Sequence, residues 1–147
     1  IDVDTVKFCT PEMLERFKKF QLVTQYIIDK EKEVEEYNKA NNIDDSNLVN
    51  GRRQTNLGIF RAYLSAYIAN CPYINKDMTF MVRQLAPTEN GIPIQIYAFS
   101  SNKSWIPYEN IQSDIFDHVF AVVTMFDLKI YQKPSSNSLA SLPEILQ

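Results

Sequence analysis

The sequence predicts an α+β fold, and three observations lead there. Ile92, Ile94, Ile96 and Ala98 alternate with Pro93, Gln95, Tyr97 and Phe99, the period of two that suits a half-buried strand. A second run, residues 78 to 86, reaches it through Pro87-Thr88-Glu89-Asn90-Gly91, a hairpin connection ending in Asn-Gly. Apolar residues also recur at helical spacing in three separate stretches, before and after this hairpin.

Taken in order, residues 1 to 8 read as a first strand, with Val3, Val6 and Phe8 beside Asp2, Asp4 and Lys7. The chain opens on Ile1 inside that alternating run, which reads as an excised fragment. Thr10-Pro11-Glu12 starts a helix: Thr as N-cap, Pro at the first helical position, an acid near the positive end of the dipole. Met13, Phe17, Phe20 and Ile27 form its apolar stripe, which thins after Ile28, so a single long helix over residues 10 to 40 is expected to outrun the core. Lys32 with Glu36, and Glu35 with Lys39, support its charged end, a solvated face. Residues 41 to 56 are a loop by composition. Thr55 or Asn56 caps the next helix, whose inner side carries Leu57, Phe60, Leu64, Tyr67 and Ile68 and which Pro72 ends. After the hairpin come a helix from about Pro107 to Phe126 and a last strand near Leu128 to Gln132. From Pro134 the tail turns Ser-rich and is expected to be loosely ordered. That order predicts a ferredoxin-like βαββαβ sandwich with an inserted long helix between the first strand and the second helix. One domain spans residues 1–133, with a helical insertion over 10–55 and a tail over 134–147. The sheet face carrying Gln95, Tyr97 and Phe99 is too aromatic for plain solvent and is expected to meet a partner.

Composition narrows the function. A chain of 147 residues, 45% hydrophobic and 22% charged, suits one globular domain with a real core. A formal charge of −3 offers no basic field for nucleic acid or an anionic membrane. Three glycines leave little room for a phosphate-cradling loop. Cys9 and Cys71 lack metal-binding spacing and read as two buried free thiols, though spacing alone leaves a disulfide between them open. No stretch approaches the roughly 18 apolar residues of a membrane span.

The motifs do not assemble into an enzyme. Asp114, Asp117 and His118 cluster on the last helix, and Asp114 with His118 has the spacing to share a metal, but no third ligand is signalled. The polar flank of an amphipathic helix accounts for them. Gly58-Ile59-Phe60-Arg61 partly matches the phosphoryl-binding run of acylphosphatases, which share the expected fold. The run is incomplete, and an ordinary amphipathic helix explains it. No GxSxG accompanies the single histidine, and Tyr63, Tyr67 and Tyr73 near Arg61 fall at helical spacing. No catalytic residue, cofactor or metal is expected.

Residues 51 to 56 raise a different expectation. Two adjacent arginines, Arg52 and Arg53, sit between a polar loop and a helix start, where a core does not need them. Arginine's planar fork is favoured at interfaces. Arg52, Arg53, Asn56, Tyr97 and Phe99 are therefore the candidate interface residues.

Longer words carry a resemblance. GRRQTNLGIFRAY and VRQLAPTENGIPIQIYAF, with the stretches around them from Ile1 to about Pro134, resemble the C-terminal cytoplasmic region of bacterial mechanosensitive ion channels of the small-conductance type, nearest the miniconductance branch. The resemblance implies a part of a homo-oligomer, seven copies in the family's best-known member, that closes a vestibule beneath the pore, filters solutes and supports assembly in the osmotic-shock response. It implies membrane helices and a small β domain upstream, an inner-membrane location for the whole protein with this region facing the cytoplasm, and a soluble isolated fragment. The insertion over about residues 10 to 55 departs from the minimal channel. The other reading is a ferredoxin-like regulatory module that binds a small molecule between subunits.

Overall fold

The computed structural model describes residues 1–136. Over these described residues the chain is α+β, with four α-helices and a two-stranded antiparallel sheet. Helix α1 (Pro11–Phe17) starts where the capping signal places it, with the Thr10 hydroxyl accepting from the Met13 amide at 3.2 Å. Helix α2 (Thr24–Ala40) follows a turn over residues 18–23, so the continuous helix expected from 10 to 40 is broken. The amides of Lys19, Phe20 and Val23 reach back three residues, and the Thr24 hydroxyl donates to the carbonyls of Lys18 and Phe20. Phe17, Val23 and Ile27 are all fully buried across this turn. Beyond it the thinning stripe has the predicted effect: Ile27 is the only buried residue of α2.

Helix α3 (Asn56–Asn70) is the most buried element, and its Thr55 cap accepts from the Gly58 amide at 3.1 Å. Strands β1 (Met81–Gln84) and β2 (Ile94–Tyr97) form the expected hairpin, with Met81 opposite Tyr97 and Val82 opposite Ile96. The pairing continues through Leu85 to the Pro93 carbonyl, and at the other end through Asn75 to the Phe99 carbonyl. Helix α4 (Trp105–Val122) runs on into a 3-10 turn, Val123–Phe126. Val82 and Ile94 pack on the core, and Ile96 and Ala98 face Ile111 and Ile115 of α4 across a small cleft. The helices therefore cover one face of the hairpin, as the alternation predicts.

Four strands were expected, but the described residues form two. Residues 1 to 8 make a 3-10 turn over Val3–Thr5 instead of a ladder. The Asp2 carboxylate accepts from the Asp4 amide, and the Thr5 hydroxyl donates to the Asp2 carbonyl; such local bonds compete with strand pairing. Pairing survives only at separate points. Ile1 and Ile92 exchange bonds of 2.7 and 2.8 Å, Asp2 donates to the Lys129 carbonyl, and Phe8 bridges Thr55. The last segment, expected as a strand over 128 to 132, meets the N-terminal turn at Lys129 but forms no ladder. The expectation for the tail falls mainly on residues 137–147, outside the described residues.

The core centres on Phe126, whose ring lies 5.2 to 5.4 Å from those of Phe17, Phe20, Phe60 and Tyr63. Asp127 then turns the chain with φ 56°, in the left-handed region. Its carboxylate meets Arg16 at 2.6 Å and Lys7 at 3.5 Å. Burial pushes that carboxyl up, but the Arg16 bond and the charges of Arg16 and Lys7 outweigh it and leave it below the usual carboxylate range. The pairing therefore favours the fold at neutral pH, and its contribution is lost as pH falls through the depressed value.

The hairpin turn has a strict requirement at Gly91, where φ is +86° and a Cβ would run into the backbone carbonyl of Ile1. Gly91→Ala is expected to destabilise the domain by about 1–3 kcal/mol in chemical denaturation. A wild-type midpoint in that variant would mean that the Ile1–Ile92 contact is not part of the folded core.

Candidate functional site

Three places concentrate the side chains with functional potential: the arginine segment after the insertion, the open hairpin face, and the single histidine. Arg52 and Arg53 are both engaged within the chain. Arg52 pairs with Glu33 of α2 at 2.7 Å and lies over the Tyr37 ring, 5.3 Å from its centre. Asn38 closes the clamp by accepting from the Arg52 amide at 2.8 Å and donating to its carbonyl at 3.0 Å. Lys30, then Arg52, holds the Glu33 carboxyl below its ordinary value. Arg53 turns the other way, donating to the carbonyls of Asp45, Asn47 and Leu48. The insertion loop is therefore braced by the guanidinium that follows it. Gly51 permits this with φ +68°, and a Cβ there would collide with the Asn38 side chain.

Asn56 has to be removed from the candidate surface. Its side chain has no exposed area, because five backbone groups surround it. Its oxygen accepts from the amides of Lys7 and Leu57, and its nitrogen donates to the carbonyls of Thr5, Phe126 and Asp127. Tyr97 and Phe99 do lie at the surface. Tyr97 is 45% exposed and meets the half-buried Phe99 edge-on at 5.3 Å. Met81, opposite Tyr97, is also exposed, and Arg83 donates to Gln95 beside them at 2.6 Å. The face that the helices leave open is thus a sulfur-and-aromatic patch on a rigid hairpin.

His118 is a packing residue. Its ring stacks on Tyr67 with centres 4.0 Å apart, and its Nε2 lies 2.8 Å from the Tyr63 hydroxyl. Among the described residues, no group of three or more His, Cys, Asp and Glu side chains is placed to hold a metal ion. The first amides of α3, which a phosphoryl group would need at Gly58, are already taken. Leu57 donates to Asn56 Oδ1, Gly58 to Thr55 Oγ1 and Ile59 to the Thr55 carbonyl. Cys9 and Cys71 are free thiols, and burial pushes Cys9 up to about 12, which keeps it protonated at neutral pH. Among the described residues, no helix is long and apolar enough to cross a membrane.

No family model matches the chain, and no solved structure matches it.

Two features escaped the sequence reading. The clamp of Glu33, Tyr37 and Asn38 on Arg52 was hidden inside what reads as a solvated charged helix. The adjacent apolar pair Leu48-Val49, in a largely polar loop, was a visible signal: these side chains are 61% and 82% exposed. If Arg53 braces the loop, Arg53→Ala should speed amide hydrogen exchange across residues 44–50 severalfold, while global stability falls by less than about 1 kcal/mol. Unchanged exchange in that segment would show that the brace is incidental.

Proposed function

We propose that the chain is a non-catalytic wall domain of a mechanosensitive channel of the small-conductance type, miniconductance branch, acting in the osmotic-shock response. Copies of it would enclose a vestibule that filters solutes and supports assembly. The sequence resemblance supplies the family. The observation that carries the role is where the apolar surface lies. Met81, Tyr97 and Phe99 cover the open side of the hairpin, and Trp105 and Phe120 are exposed on α4 with Phe116 at the rim of its cleft to the hairpin. Phe116 and Phe120 stack at 5.9 Å without a covering element, and Trp105 is 78% exposed. Large apolar side chains held outward on two regular elements mark a surface for protein contact, not a catalytic cleft. The arginines fit this role indirectly: they stiffen the insertion from within.

The ferredoxin-like order belongs to the same proposal. The Ile1–Ile92 and Asp2–Lys129 bonds favour a first segment lying between β2 and the last segment. A ferredoxin-like sheet places its first strand between its third and fourth. Isolated bonds, instead of ladders, are what supports that order here.

The decisive experiment is electrophysiological. The full gene product carrying this chain, expressed in a bacterial host stripped of its own tension-gated channels, should give a conductance that opens with membrane tension. Tyr97→Glu with Phe99→Glu should reduce the oligomer recovered in detergent. Absence of any tension-gated current from correctly inserted protein would overturn the reading.

A further inference from the structure

We infer that the loop tip Leu48-Val49 is a plug, and that its socket is the apolar groove between the α1–α2 turn and the end of α4 on a second copy of this chain. This deepens the proposed wall role and rests on it for the expectation that copies meet.

The tip is built, not loose. Arg53 holds three carbonyls of the loop, including that of Leu48. The Asn50 amide closes on the Asn47 carbonyl, and its side chain donates to the Asp44 carbonyl. Gly51 then returns the chain to the clamp on α2. All these bonds orient the backbone, and while Ile43 is half-buried they leave the loop's other two aliphatic side chains, Leu48 and Val49, in water. A loop that needed only to close would place polar residues there.

The groove is lined by Phe20, Gln21, Leu22, Tyr63, Val122 and Met125 and encloses about 290 Å³. A space of that size accepts two branched aliphatic side chains. Leu22 and Met125 are exposed at its rim. Charge favours the same pairing. Lys19, next to Phe20, and Asp45, at the base of the plug, are each without an ion pair among the described residues. Docking the tip in the groove would bring these opposite charges to one rim.

Position decides that the contact is between copies. Leu22 lies two residues before α2 and the plug follows its far end, so a 17-residue helix, about 25 Å long, separates them. A plug therefore cannot reach its own socket. One plug and one socket per chain, on different surfaces, make a head-to-tail contact, which generates a ring when its rotation closes.

A photo-crosslinking amino acid at position 49 of the 147-residue chain tests this, using mixed light and nitrogen-15-labelled copies so that intermolecular products are identified by mass. Adducts should map to residues 20–22 or 122–125 and disappear with Met125→Asp, a substitution at an exposed position whose folding is checked by its melting temperature. Leu48→Ser with Val49→Ser should weaken self-association in sedimentation by roughly tenfold or more, given the apolar area it removes. Intermolecular adducts that map elsewhere, or none up to millimolar protein, overturn the plug. A tension-gated current persisting in that case would leave the wall role standing. Conversely, adducts at the socket without any such current would leave the plug standing and remove the channel.

Discussion

Asn56 lies at the first turn of α3 with its carboxamide enclosed by five backbone groups from three parts of the chain. Thr5 and Lys7 come from the N-terminal segment, Leu57 from the helix itself, and Phe126 and Asp127 from the 3-10 turn after α4 and the residue that follows it. In a sheet, ladders would join such segments. Here residues 1 to 8 and 127 to 131 meet the rest of the fold by isolated bonds, and one side chain supplies what the missing ladders do not. An unsatisfied buried donor or acceptor costs about 1–3 kcal/mol, so this junction is worth a large share of a typical domain's 5–15 kcal/mol. Apolar packing alone could not fix these segments in register, because it is not directional.

The rest of the architecture is arranged around that junction. Phe126 is placed at the centre of the aromatic cluster by the same turn whose carbonyl Asn56 holds. Arg16 and Lys7 converge on the Asp127 carboxylate one residue later, tying α1 to the same point. With the N-terminal turn fixed, Ile1 can meet Ile92 and seat the hairpin. The hairpin's inner face is then used by the core and by α4, which leaves Met81, Tyr97 and Phe99 outside. The outward surfaces on which the proposed role depends are thus a consequence of a firmly determined inside. The insertion is a second unit of rigidity: α2 leaves the core after Ile27, and Arg52 and Arg53 stiffen it by bonds local to it.

What was legible in the sequence follows from what is local. Asn90-Gly91 and the alternation around Ile94 specified the hairpin, because turn chemistry and pleat period are properties of neighbouring residues. Thr10 announced the start of α1 for the same reason, and the pair Thr55-Asn56 that of α3, where Thr55 is the cap. The break at residues 18–23 was not legible, since Phe17, Phe20 and Ile27 share a stripe whether or not the helix is continuous. Val3, Val6 and Phe8 were compatible with a strand, but the bonds of Asp2 and Thr5 that bend the segment do not alter its hydrophobic pattern. Asn56 looked like a surface residue because asparagine is usually exposed or capping. Its burial depends on carbonyls some fifty and seventy residues away, which no local pattern reveals. The partners that Arg52 and Arg53 find within the chain were hidden in the same manner, because they lie elsewhere in the insertion.

The Asn56 amide, donating to three carbonyls, ties the fold together. Asn56→Asp preserves shape and the accepting oxygen but turns the donor into a second acceptor. A negative charge at a helix start gains about 0.3–1 kcal/mol from the dipole, less than the several kcal/mol that burying an unpaired carboxylate costs. The variant's carboxyl is therefore raised in the folded state, so its penalty is fullest above that raised value and relieved as pH falls through it. Denaturation of wild type and Asn56→Asp from pH 8 to pH 4 measures this directly. The variant should be at least about 3 kcal/mol less stable near neutrality, with the gap narrowing as pH falls. A gap below about 0.5 kcal/mol that stays flat across that range would contradict it.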